Sequence, residues 1–442
     1  MRAIFSVLLI ILAVSCSKPN NQPSPPDEQH NPDKPDNEVE LTIASITPIS
    51  AETGPVTITG SGFSSAVEKN EVKLSNLTAT VVSANSGAIV IELPEDLEAG
   101  DHDVIVKTNN KSASKTNGFH RVGWVVTHFA GSGLSGTGDG VGLNADFRTP
   151  SGLANDLAGN IYVADLHKIR RISRHGEVVT IAGGNGRGYV DGNAADARFN
   201  FVASIALDAT GNIYVTDAMN FVIRKITPAG TVTTVAGLAG EYGNADGAGE
   251  KARFSMPYGL AINESNTHLF VGDEGNNVIR QVEIATGIVT TIAGSGEATS
   301  KDGRGLEAGI PSPGSMAFDG DGNLYITEKG GGRVRKMSPD GFVSTIGGDL
   351  SVNTSPTHVA VDEHNNVYVT YSGMGKIKKY SPNGVESDFA GNNWGTGVEE
   401  GAAKTVFFRR PEGIVIIKDA NGDIEFYVAD AQSHRIKKIK KE

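Results

Sequence analysis

The chain has 442 residues, 38% of them hydrophobic and 20% charged, so it is too long for a single core and apolar enough for more than one folded unit. A formal net charge of −12 and a pI near 5.4 argue against nucleic acid or anionic phosphate partners. The single cysteine excludes an intramolecular disulfide framework.

Residues 1–16 read as a targeting signal. Arg2 supplies a positive start, Ile4 to Val14 form an apolar run too short to span a bilayer, and Leu12-Ala-Val-Ser-Cys16 puts the cysteine after small residues. The pattern resembles a bacterial lipoprotein signal, with Ala13 where such signals prefer leucine. That resemblance implies cleavage before Cys16 and lipidation of its thiol, which anchors a protein without spanning the membrane. Ordinary secretion and a chance cysteine are the alternatives. Residues 17–40 carry six acids against two lysines among prolines and asparagines. Such a segment buries too little apolar surface to offset its ordering entropy and is expected to be a disordered tether.

Residues 41–121 alternate apolar and polar positions in about seven short runs, among them Val56-Thr-Ile-Thr, Asn70-Glu-Val-Lys-Leu74 and Asp103-Val-Ile-Val106. The pattern predicts an immunoglobulin-like sandwich. With Thr-Gly-Ser-Gly-Phe at 59–63, the segment resembles an IPT/TIG domain, which implies a spacer role.

From residue 122 to 442 two phrases alternate. GNIYVAD (159–165) returns as GNIYVTD (211–217), HLFVGD (268–273), GNLYITE (322–328), NNVYVTY (365–371) and EFYVAD (425–430), with aromatic positions 52, 56, 55, 43 and 59 residues apart. The partner phrase is VVTIAG (178–183) and its relatives. Both are strand-like, and a period of this size signals a propeller or solenoid. Four strands per unit and six units predict a six-bladed β-propeller in an all-β protein. One copy of the partner phrase, at 125–131, precedes the first unit, and the last unit lacks its own, so the N-terminal strand is expected to close the ring. The run from Pro150 through Gly159-Asn-Ile-Tyr-Val-Ala-Asp165 to Arg170 resembles an NHL repeat. NHL-type propellers include protein-, RNA- and carbohydrate-binding modules as well as lyases and hydrolases, so the resemblance implies fold more than function.

The loops joining one blade to the next have fixed spacing. An acid-Gly pair stands eight residues before an apolar one at Asp139/Phe147, Asp191/Phe199, Asp246/Phe254, Asp302/Ile310 and Glu400/Phe408. These are expected to be turns whose apolar residue plugs the gap between blades. The calcium alternative lacks oxygen ligands at alternating positions. The acids ending the aromatic strand, Asp165, Asp217, Asp273, Glu328 and Asp430, are expected around the channel mouth. Recurrence points them to turn capping, with ligand contact as a second role; Tyr371 breaks the series, and the short crossing before blade 5 predicts a notch. Non-repeating aromatics at the loop tips, Tyr189, Tyr242 and Trp394, suit stacking on a sugar ring. NHL-type lyases hold zinc with face histidines, but His167, His358 and His434 match no zinc spacing. No metal or other cofactor is expected, and no Gly-x-Ser-x-Gly elbow, His-Glu-x-x-His or catalytic cysteine occurs. The composite reading is a binding lipoprotein at the bacterial outer membrane, with an extracellular polysaccharide as favoured ligand and no nucleic acid. A lyase or hydrolase at the rim acids and an envelope protein scaffold are the alternatives.

Overall fold

The computed structural model describes residues 39–94, 97–184, 186–348, 355–392 and 397–442. Cys16, the signal and nearly all of the tether lie outside them.

The small domain is a sandwich of eight strands, one more than the alternation suggests, because the two-residue strand Ser50–Ala51 pairs parallel to His120–Arg121. Strand Leu77–Asn85 belongs to both sheets: Leu77–Ala79 pair with Val72–Leu74, and Thr80–Asn85 with Ala88–Glu92. The inward-facing positions Val56, Ile58, Val72, Ile89, Ile91, Val104, Val106 and Phe119 are fully buried. Gly60 is dictated by packing, since a Cβ there would lie 1.9 Å from the Thr42 carbonyl oxygen.

The remainder is a ring of six antiparallel sheets. Blade 1 comprises, from the axis outward, Pro150–Asn155, Ile161–Asp165, Lys168–Ile172 and Glu177–Ala182. Blades 2 to 5 repeat the order from inner strands Val202–Leu207, Pro257–Ile262, Pro313–Phe318 and Pro356–Val361. Blade 6 runs Pro411–Lys418, Ile424–Asp430 and Arg435–Lys441, and its outer strand is Trp124–Ala130 from the far end of the propeller. The expected closure is therefore what joins the ring. Neighbouring inner strands touch in order all the way round, the sixth touching the first.

That closure corrects one expectation. By sequence the basic tail Lys437-Lys438-Lys440-Lys441 reads as an exposed strand edge guarded by charge, with a binding patch as the alternative. It is instead an interior strand, with Lys437 fully buried on Asp430 at 3.0 Å, Lys438 on Glu425 and Lys441 on Glu52 of the small domain at 2.7 Å.

The recurring aromatic has a local cause. Asp156 accepts hydrogen bonds from the Asn160 backbone (2.9 Å), the Asn160 amide (2.7 Å) and the Tyr162 hydroxyl (3.3 Å). Asp208, Asp319 and Asp362 do the same for Asn212/Tyr214, Asn323/Tyr325 and Asn366/Tyr368. The carboxylate thus ties the hairpin turn to the strand leaving it.

The crossing loops behave as plugs. Phe147, Phe199, Phe254, Ile310 and Phe408 are fully buried, each in a cluster drawn from two adjacent blades; Phe254, for example, lies with Tyr214 and Ile223 of blade 2 and Val271 of blade 3. On the way, each acid-Gly pair adds a short fifth strand to an outer edge, as Gly140–Val141 does against Glu177–Val178. Among the described residues blade 5 has four strands.

Candidate functional site

The side bearing the crossing loops and the turns between second and third strands is left clear by the small domain, which joins at Trp124, at the other end of blade 6. A cavity of about 460 Å³ lies at that junction, bordered by Glu98, Arg121, Trp124, Phe389 and Lys404, remote from the crossing face.

The strand-ending acids are on this face but beneath it. Asp165, Asp217, Asp273, Glu328 and Asp430 are at most 1% exposed. One oxygen of Asp165 accepts the Arg148 and Thr149 N–H groups at 2.8 Å, capping the end of the crossing loop, and Asp217, Asp273 and Asp430 do likewise. The other oxygen meets a buried cation on the third strand, a guanidinium in blades 1 to 3 and the Lys437 ammonium in blade 6, and Glu328 of blade 4 meets a guanidinium in the same way. Arg170 bridges Asp165 (3.2 Å) and Asp139 (2.8 Å), Arg224 bridges Asp217 (3.0 Å) and Asp191, Arg280 bridges Asp273 (2.9 Å) and Asp246 (2.7 Å), and Arg335 bridges Glu328 and Asp302 (2.9 Å). In blades 1 to 3 the guanidinium also lies over the plug ring, 4.9–5.3 Å from its centre. The five acids, expected among the ligand contacts, are therefore sequestered: their oxygens are used within the fold. Burial pushes Asp217 and Asp273 up to about 6 against the pull of Asn220 or Asn276 and the arginine.

Tyr371 is also corrected as a ligand contact. It is fully buried, and its hydroxyl lies 2.5 Å from that of Tyr380. Tyr189 is 42% exposed, stacks over Arg224 and bonds Thr234 through its hydroxyl at 2.8 Å, so only part of its ring is presented. Tyr242 is 74% exposed and leans on Phe221 with ring centres 6.0 Å apart. Trp394 and most of the crossing before blade 5, where the notch was expected, lie outside the described residues.

The three histidines do not converge. His167 accepts the Phe201 N–H at 3.3 Å and His434 contacts the Arg148 carbonyl at 2.9 Å, so each fastens its own blade to the next. His358 stands on an inner strand facing the axis. Among the described residues no three His, Cys, Asp or Glu side chains are grouped to hold a metal.

At the axis the structure shows a cluster that was not anticipated. The residue after the first of each inner strand is small in four blades, as Ser151, Ala203, Gly314 and Thr357, but is Tyr258 in blade 3 and Glu412 in blade 6. Tyr258 lies across the channel, its ring 6.3 Å from Phe201 of blade 2 and 6.5 Å from His358 of blade 5, under the Lys329 ammonium of blade 4 at 3.6 Å. Lys329 is paired with Glu274 (2.9 Å), and Arg410 with Glu412 (2.7 Å). Burial holds Glu412 and Tyr258 above their usual ranges, and burial followed by Lys329 drives His358 down to about 3, so its imidazole is neutral. Tyr258 and Glu412 are legible in the sequence as departures from the repeat within the inner strand.

Comparison with known proteins agrees with this architecture. Residues 41–121 match the IPT/TIG domain family. This part of the chain is an IPT/TIG domain. Across the propeller, the chain is 25% identical over 276 residues to Protein SUPPRESSOR OF QUENCHING 1, chloroplastic, of Arabidopsis thaliana, covering 56% of this chain and 26% of that protein. It is 28% identical over 180 residues to NHL repeat-containing protein 2 of Homo sapiens, covering 37% and 25%. The chain thus spans about a quarter of the length of these relatives. Behind its IPT/TIG domain, the chain is a six-bladed propeller with NHL-repeat relatives. Among solved structures it resembles auxiliary nutrient binding proteins from Bacteroides thetaiotaomicron (TM-score 0.57, 16% identity, 91% of this chain and 98% of that one) and Bacteroides ovatus (0.56, 16%, 92% and 99%). At such identities the likeness is one of fold.

Proposed function

We propose that the protein is a surface-anchored, non-catalytic binding lipoprotein of the bacterial outer membrane whose crossing face takes an extracellular polysaccharide for uptake. The observation that carries this reading is the exposed aromatic Tyr242, 74% exposed and packed edge-on against Phe221. A ring presented to water with a second ring at its edge matches the apolar face of a pyranose. The two Bacteroides proteins named as auxiliary nutrient binding proteins share the fold over nearly their whole length, which supports a role in nutrient capture. Trp394, in the Gly/Asn-rich tip of another crossing, extends the same chemistry. Cys16 supplies the anchor and residues 17–40 the reach.

Affinity electrophoresis through gels containing a panel of polysaccharides tests this. Retardation by at least one glycan is expected, reduced at least tenfold in affinity by Tyr242→Ala or Trp394→Ala. Migration indifferent to every glycan would remove the polysaccharide reading, and release of shortened products would replace it with the lyase or hydrolase one. Cys16→Ala is expected to move the protein from the membrane fraction to the soluble fraction.

A further inference from the structure

The six inner strands share one register, each beginning opposite the last residue of its second strand. Two residues further on they present a layer of Gly152, Ser204, Gly259, Ser315, His358 and Gly413. The glycines are required by proximity: a Cβ on Gly259 would stand 1.8 Å from the Gly314 oxygen, and one on Gly413 2.1 Å from the Ser151 oxygen. The polar groups of this layer are therefore two serines and one histidine. They border a cavity of about 210 Å³ that continues between aliphatic side chains such as Leu260, Val359 and Ile414 to Asn155 and Phe318, at the hairpin-turn ends of the strands. Tyr258 bars the crossing-face end, so the cavity is reached from the hairpin-turn side.

His358 is the group this cavity leaves to be explained. It is 3% exposed, and neither Nδ1 nor Nε2 has a hydrogen-bond partner among the described residues. A buried polar group without a partner costs roughly 1–3 kcal/mol. A second histidine nitrogen in the same condition adds to that cost. A channel that merely needed filling would be served by an aliphatic residue, as it is in the next layer.

We propose that the channel beneath Tyr258 is a second binding site, specific for one small uncharged polyol, from glycerol up to a single hexose. The neutral imidazole offers one donor and one acceptor, the same pair a hydroxyl offers in return, and Ser204 and Ser315 repeat that pairing. The aliphatic walls and the absence of a charged side chain among the cavity's lining residues reject ions, whose desolvation nothing there offsets. A liquid-like share of about 30 Å³ per water gives the cavity room for several heavy atoms. The site is independent of the crossing-face reading, because Tyr258 separates the two.

The test uses the full chain labelled with ¹⁵N-histidine, with glycerol and glucose as neutral probes and acetate as the charged control. His358 resonances are assigned by their loss in His358→Gln. The ring ¹⁵N signals of His358 are expected to shift saturably with glycerol or glucose, to ignore acetate, and to respond unchanged in Tyr242→Ala. Ser315→Leu, which narrows the cavity while keeping the imidazole, is expected to abolish the response without lowering the melting temperature. A response absent or non-saturating with both neutral probes, meaning that the channel holds only solvent, overturns the proposal. So does a saturable shift that survives Ser315→Leu, or one produced equally by acetate. Loss of glycan binding with the His358 response intact separates failure at the crossing face from failure here.

Discussion

The boundary between blades 3 and 4 and that between blades 4 and 5 solve the same packing problem with different parts. At the first, the crossing 294–312 brings Ile310 down between the blades, and Arg335 on the third strand holds both Glu328 and the loop's Asp302. At the second, the crossing spans only 349–355, too short for the acid-Gly pair and eight-residue spacing of the others, and all but Ser355 of it lies outside the described residues. Tyr371, where an acid stands in the other blades, and Tyr380, where they have an aliphatic residue, fill the gap with their hydroxyls paired. Gly347 replaces the alanine of the other outer strands, because a Cβ there would come within 2.2 Å of the Tyr380 ring. Lys378 takes the arginine's register position and turns to Glu386 on the outer strand. The lesson is that the strand-ending acid belongs with the long crossing loop: wherever that loop supplies an acid and a plug, the strand ends in an acid held by a buried cation, arginine in blades 1 to 4 and Lys437 in blade 6.

If the clamp is a unit, breaking it in a blade that has it should produce the largest effect. Arg280→Met leaves Asp273 buried and uncompensated and is expected to lower unfolding stability by about 3–5 kcal/mol, read from urea midpoints. A loss below 1 kcal/mol would show that the loop is held by its plug alone. The converse graft should fail. Tyr371→Asp with Lys378→Arg introduces a buried pair without the long acid-Gly crossing that accompanies it in the other blades, and is expected to cost at least ~2 kcal/mol; a graft that left stability unchanged would break the comparison.

The buried carboxylates of blades 2 and 3 add a pH signature. For an acid whose folded pKa is raised to about 6 from 3.8, the contribution to stability is fully present below the unfolded value and is lost as pH rises through 6. From pH 6.5 to 4 the native chain is therefore expected to gain on the order of 1–3 kcal/mol relative to Asp217→Asn. Parallel pH profiles of the two proteins would contradict it. Gly347→Ala tests the smallest piece. It is expected to cost about 1–3 kcal/mol by overpacking, and a double-mutant cycle with Tyr380→Leu should show a coupling of at least ~0.5 kcal/mol, since the smaller side chain removes the clash.

Much of this was legible in the chain. The 43- to 59-residue steps, the surplus strand phrase at 125–131 and the eight-residue spacing from acid to plug each rest on local chemistry: strand alternation, hairpin turns and loop length. Even the exception at Tyr371 was visible, although as a candidate contact. What a residue sitting on the rim would face was not legible. Asp165 reads as a mouth acid until the crossing loop is laid over it and Arg170 reaches its second oxygen. Tyr258 and His358 stand far apart in sequence and meet only because blades 3 and 5 face one axis.

The amino-acid sequence by itself determined the number of blades, the closure of the ring and the places where the repeat is broken, because strand period and turn propensity are written within a few residues. Only the tertiary structure decided which of those residues are buried and which are presented. Burial depends on what the next blade and its crossing loop bring, and so it turned five acids and Tyr371 into internal fastenings while leaving Tyr242 in water and His358 at the head of a channel.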